Sequence, residues 1–177
     1  MNRYYKLLDI VRELQPEHIV EIGTWNGKRA TEFMAVTNCY YTGFDLFEDA
    51  TKETDQAELN VKPHHEMVEV AKRIEQTGLG KFALHRGDTK ETLSKWIEGP
   101  DFEPFDFAFI DGGHSVETID SDYKLIREAI SPGGVIILDD HYTPENPGFG
   151  CNHIEGELLE PSDGYTEGRV RLLRVDC

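Results

Sequence analysis

The chain has 177 residues, of which 38% are hydrophobic and 29% charged, and its formal net charge is −16. That length and composition suit one globular domain with a single core and exclude global disorder. The acidity excludes nucleic acid as an expected partner, because phosphate backbones are repelled by it.

Cys39, Cys151 and Cys177 lack C-x-x-C spacing. They argue against a disulfide framework and a zinc site, and for a reducing compartment. No apolar run is long enough for a signal peptide or a membrane span, so the expectation is a cytoplasmic protein with no membrane partner.

Tyr4, Leu7, Leu8, Val11 and Leu14 recur at helical spacing, and Pro16 follows. His18 to Ile22 reads as the first strand, Gly23 to Gly27 as a turn, and Ala30, Phe33 and Met34 as one face of a helix. Tyr40 to Leu46 is the second strand, with Asp45 near its end. Glu48 to Pro63 is polar without a clear period and predicts a surface loop or a short lid. Met67, Val70, Ala71 and Ile74 mark a helix stopped by Gly78. Phe82 to Arg86 is the third strand, followed by a helix carrying Leu93, Trp96 and Ile97. Phe105 to Ile110 is the fourth strand. Ser115 can cap a helix whose stripe is Val116, Ile119, Tyr123, Ile126 and Ile130. Val135 to Leu138 is the fifth strand. The tail holds a Pro- and Gly-rich loop over 143–153, a short helix or strand over Ile154 to Leu159, and an alternating segment, Arg169 to Val175, expected as an exposed or edge strand. Five strand–helix alternations predict an α/β domain, an open parallel sheet covered on both faces. The whole of 1–177 reads as one domain: an N-terminal helix (1–16), a core (18–140), and a substrate loop with C-terminal strands (141–177).

Two apolar runs stop abruptly at carboxylates. One ends Ile110-Asp111-Gly112-Gly113-His114, the other Leu138-Asp139-Asp140-His141. Acids at the carboxyl ends of parallel strands sit where α/β folds bind ligands. The two strands are expected as sheet neighbours, so Asp111, Asp139 and Asp140 converge. Close carboxylates repel unless protonated or bridged by a cation, and all-oxygen ligation suits Mg²⁺, Mn²⁺ or Ca²⁺. His114 is the expected base, since imidazole exchanges protons near neutral pH. His141 is a second candidate, for base or substrate contact.

Glu21-Ile22-Gly23-Thr24-Trp25-Asn26-Gly27 closes the first strand with G-x-x-x-G spacing, which disfavours a dinucleotide site and an NAD-dependent oxidoreductase. Asp45 is placed to accept from ribose hydroxyls, and Gly87-Asp88-Thr89 to edge an adenine. Singly these are ordinary turn and capping residues; together, at three successive strand ends, they point to a nucleoside-bearing ligand.

The order of these motifs resembles the class I S-adenosylmethionine-dependent methyltransferases. The first motif is similar to that of the metal-dependent catechol-type O-methyltransferases. Ile110-Asp111-Gly112 and Asp139-Asp140 look closer to the macrocin-type sugar O-methyltransferases. The resemblance runs from about Val20 to Tyr142. It implies a Rossmann-like fold with seven strands, the last antiparallel. It implies S-adenosylmethionine held by Glu21, Gly23, Thr24, Trp25, Gly27, Asp45, Asp88, Thr89 and Asp111. It further implies a divalent metal, Mg²⁺ first, on Asp111, Asp139 and Asp140, with Asp111 and His114 as the catalytic pair. The activity implied is methyl transfer to a hydroxyl of a small molecule or sugar, by a chain that could self-associate. The alternatives are a metal-independent methyltransferase and a cofactor-binding module without catalysis.

Overall fold

The computed structural model describes residues 3–160 and 170–177. Among them, in chain order, are α1 (Tyr4–Leu14), β1 (His18–Ile22), α2 (Lys28–Val36), β2 (Tyr40–Asp45), α3 (Lys52–Ala57), α4 (Met67–Glu75), β3 (Lys81–Arg86), α5 (Thr89–Ile97), β4 (Phe107–Ile110), α6 (Val116–Ala129), β5 (Val135–Tyr142), β6 (Glu157–Leu159) and β7 (Val170–Asp176). A single 3₁₀ turn, Phe47–Asp49, follows β2.

The strands form one sheet in the order β3-β2-β1-β4-β5-β7-β6. β1 to β5 pair in parallel, and β7 runs antiparallel to both β5 and β6. The central strands are buried on both faces, so they read in sequence as short unbroken apolar runs. Alternate residues divide into two cores. Ile19, Tyr41, Phe107, Phe109 and Ile137 face α1, α2 and α4; Val20, Ile22, Phe44, Ala108, Ile110 and Ile136 face α5 and α6. Helices therefore cover both faces, as the strand–helix alternation predicts.

Helix boundaries follow local chemistry. Gln15, just before Pro16, takes a left-handed conformation that ends α1. Thr51 caps α3 with a reciprocal capping box to Thr54, Asp88 caps α5 through the Lys90 N–H, and Ser115 caps α6 through the Thr118 N–H.

Three differences from the sequence reading bear on the site. Glu48 to Pro63 is not plain loop: it contains part of the 3₁₀ turn and the whole of α3. β5 runs on past Leu138 to Tyr142, through an irregularity between Leu138 and His141 where Asp140 has φ 65°. The C-terminal alternating segment is not an edge strand. β7 is inserted between β5 and β6, and the short β6 takes the edge, because alternation reports one face more polar than the other and cannot report what pairs alongside. Arg169 lies outside the described residues.

Candidate active site

β1 and β4 are adjacent and parallel, and their carboxyl ends touch. The Gly23 N–H donates to the Phe44 carbonyl at 2.8 Å, and the Asp111 N–H to the Ile22 carbonyl at 2.9 Å. Gly23 has φ 91°, and a Cβ there would stand 2.0 Å from the Asp111 carbonyl oxygen. Only glycine allows this closeness. The junction is the floor of a cavity of about 250 Å³.

Of the residues singled out in the sequence, Gly23, Trp25, Asp45, Asp88, Thr89, Asp111 and His114 line this cavity. Asp45 is held rigidly: one oxygen accepts from the Trp25 N–H and the other from the Phe47 N–H, both at 2.7 Å. Each oxygen retains acceptor capacity toward the cavity. Asp88 spends one oxygen on the α5 cap.

Glu21, Thr24 and Gly27 do not line the cavity. Glu21 is buried beneath it and accepts from the Tyr41 hydroxyl, which also lies 3.2 Å from Thr24 Oγ1. Burial pushes the Glu21 carboxyl up to about 8, against the lowering effects of Tyr41 and Arg29. Gly27 packs against α4, where a Cβ would meet Val70 at 2.9 Å.

The roof is the segment between β2 and α4, pinned at two points. Trp25 Nε1–H donates to the Pro63 carbonyl at 2.8 Å. Glu58 accepts from the Ser115 N–H at 2.7 Å, the Ser115 hydroxyl at 2.9 Å and the Thr118 hydroxyl at 2.7 Å. The Glu58 carbonyl oxygen lies 2.6 Å from His114 Nδ1. A carbonyl can only accept, so Nδ1 carries the hydrogen, and the neutral ring keeps its lone pair on Nε2. Nε2 lies 3.6 Å from Asp140 Oδ2.

Asp139 and Asp140 meet Asp111 behind the cavity wall rather than in it. Arg3 donates through Nε to Asp139 Oδ1 at 2.6 Å and through Nη2 to Oδ2 at 2.5 Å. The Asp140 N–H adds a bond to Oδ1 at 2.9 Å and the Tyr4 hydroxyl one to Oδ2 at 2.8 Å. Four donors fill the four lone-pair positions of this carboxylate. Burial alone would lower the Arg3 guanidinium, but the hydrogen bond and charge of Asp139 hold it above its ordinary value. Arg29 stacks 3.9 Å from the centre of the Tyr4 ring and backs the clasp.

Tyr4 has one hydroxyl hydrogen, which serves Asp139. Its second contact, 3.1 Å to Asp111 Oδ2, is a hydrogen bond when Asp111 carries the proton. Burial, and then the charge of Asp139, raise the Asp111 carboxyl well above its ordinary value. Burial and the same charge raise Asp140. Three hard oxygen donors would suit a divalent cation by chemistry, but as arranged they do not fit one, because Asp139 has no lone pair left to give. Among the described residues no group of three His, Cys, Asp or Glu side chains is arranged to hold a metal ion. Arg3 supplies the positive charge facing Asp139, and burial with that neighbouring carboxylate favours the neutral forms of Asp111 and Asp140. His141 lies beyond the β5 irregularity, opposite Arg171, and does not line the cavity.

A profile for the family described as a methyltransferase domain matches residues 20–141, more than half of the chain. The chain belongs to that family. The methyltransferase also shares its fold with solved structures. The O-methyltransferase TomG of Streptomyces achromogenes, involved in tomaymycin synthesis and solved with SAM, aligns with a TM-score of 0.67 at 17% identity, over 97% of this chain and 78% of that one. An O-methyltransferase from Bacillus cereus in complex with SAH gives 0.53 at 23%, over 76% and 54%. The SAH-bound methyltransferase PaMTH1 of Podospora anserina gives 0.55 at 17%, over 75% and 50%. The methyltransferase thus spans about half the length of the latter two. Curated protein sequences give no match. At these identities the likeness is one of fold: the Rossmann-like methyltransferase fold, with a seven-stranded sheet carrying an antiparallel strand toward one end. No helix among the described residues is long and apolar enough to cross a membrane.

Sequence reasoning missed Arg3, Tyr4, Glu58 and Asp122. Asp122 left a signal: it falls three residues after Ile119 and four before Ile126, inside the apolar stripe of α6. Arg3 and Glu58 left none, since each acts on a residue far along the chain.

Proposed function

We propose that the methyltransferase transfers the methyl group of S-adenosylmethionine to a hydroxyl of a small molecule or sugar, with His114 as the base. The observation that carries this reading is the tautomer fixed by Glu58, which leaves His114 Nε2 able to accept a proton at the cavity wall. Gly23, Trp25, Asp45, Asp88 and Thr89 form the part of the cavity suited to the nucleoside and methionine portions of the cofactor. The acceptor oxygen attacks the methyl carbon and the carbon–sulfur bond breaks. The bonding pair returns to sulfur, so the sulfonium becomes a thioether, and the hydroxyl proton passes to His114 Nε2. Asp140 faces the imidazolium that results, and the charge of that ring offsets part of the burial that raises the Asp140 carboxyl. Transfer to oxygen is the chemistry named for the relatives from S. achromogenes and B. cereus.

In this reading the carboxylate cluster is structural and electrostatic, with Arg3 as its cation. Calorimetry with Mg²⁺ and Mn²⁺, in the presence of S-adenosylhomocysteine, tests that role directly. The expected result is no stoichiometric heat and no loss of turnover in chelator. A stoichiometric site that disappears in Asp140→Ala would replace Arg3 by a metal. Methyl transfer is tested with labelled S-adenosylmethionine and a panel of phenols, catechols and sugars; cofactor binding without transfer to any of them would favour a binding module.

A further inference from the structure

We infer that Asp122 is the residue that recognises the exocyclic amino group of the adenine ring. The inference rests on the cofactor reading above and adds a determinant that no motif of the sequence predicts.

Asp122 sits two turns into α6 and is 1% exposed. Asp122 is part of the cavity wall, with Asp88, Thr89 and Thr118. Thr89 hydrogen-bonds to the carboxyl, but Oδ1 is buried with no hydrogen-bond partner among the described residues. A buried acceptor without a donor is costly, and natural cores avoid it unless a ligand supplies the missing group. The group required here is therefore a donor.

The position selects which donor. Asp45, at the end of β2, is the acceptor suited to the ribose hydroxyls, and Asp122 shares the wall with Asp88 and Thr89, after β3, one strand farther out. The part of an adenosyl ligand that extends beyond its ribose is the base. The edge of adenine remote from the sugar carries one donor, the N6 amino group; its ring nitrogens only accept. A carboxylate oxygen matches N6–H and repels a carbonyl at the same place. Hypoxanthine and guanine both carry that carbonyl, so Asp122 selects an adenosyl ligand against inosyl and guanosyl ones. Burial, partly countered by Thr89, pushes the carboxyl up to about 7, so the carboxylate form that accepts from N6–H prevails above that pH, and the binding test is run there.

The test measures S-adenosylhomocysteine and S-inosylhomocysteine binding by calorimetry, in the wild type and in Asp122→Asn. The wild type is expected to prefer the adenosyl compound by roughly 10- to 100-fold, the value of one hydrogen bond to a charged acceptor. Asp122→Asn keeps the shape and can turn its amide NH₂ toward the inosine carbonyl, so the preference is expected to collapse to near unity. A wild type that binds both compounds equally overturns the inference, whatever the variant does. So does a variant that keeps the full preference. Failure of the wild type to bind S-adenosylhomocysteine at all would instead overturn the cofactor reading.

Discussion

His114 Nδ1 and the backbone carbonyl oxygen of Glu58 lie 2.6 Å apart, across 56 residues of sequence. The Glu58 side chain meanwhile holds Ser115 and Thr118, so one residue of the roof fixes both the ring of His114 and the start of the helix behind it. This arrangement fixes which nitrogen of the neutral His114 ring carries the hydrogen.

His114→Ala is expected to lower kcat by roughly 10²- to 10⁴-fold, the usual worth of a positioned base, with S-adenosylhomocysteine affinity changed only a few-fold. Glu58→Ala is expected to lower kcat between roughly 10- and 100-fold through misplacement of the ring. Because Glu58 acts through His114, the double variant is expected to be no worse than His114→Ala. Steady-state kinetics on the three variants check this; additive losses would assign Glu58 a separate role.

Gly23→Ala is expected to destabilise the fold by roughly 3 kcal/mol, combining a strained left-handed alanine with overpacking at the strand junction. A Cβ only 2.0 Å from the Asp111 carbonyl must push β1 and β4 apart, and with them the cavity floor. Chemical denaturation and cofactor calorimetry are expected to show both losses together. Gly133→Ala is the control: it shares a positive φ of 83° but has nothing within 4 Å.

Glu21 gives a pH signature. Its carboxyl is raised from 4.5 to about 8 in the fold, so between those values the folded state holds a proton that the unfolded chain has released. The Glu21 contribution to stability is full below pH 4.5 and is lost as pH rises through about 8. Glu21→Gln is expected to flatten that decline and to exceed the wild type at pH 8 by on the order of 4 kcal/mol. Denaturation midpoints of the two proteins from pH 5 to 8 check the sign; parallel curves would mean that Glu21 is ionised in the fold.

The central strands and their order of acids were legible in the sequence because a strand buried on both faces leaves an unbroken apolar run. Ser115 and Asp88 were legible as caps for the same local reason. The position of β7 was not, since nothing in its alternation says that β6 covers its far edge. Nor was the fate of Asp139. Adjacent carboxylates at a strand end suggest a cation, and the positive charge that the fold brings to Asp139 is the Arg3 side chain, from just before α1. Gly27 shows the converse: its place in the motif suggested a ligand, and its surroundings are Val70 and Ile74.

The Arg3–Asp139 clasp joins positions 136 residues apart. Almost the entire sheet must be assembled before that contact can close, so it belongs to the late, native side of the folding barrier. Arg3→Ala is accordingly expected to leave the refolding rate near its wild-type value and to put its whole cost, about 3 kcal/mol for stranding a buried charge, into faster unfolding. The clasp is a kinetic lock: it contributes little to how the domain forms and much to how long it stays formed.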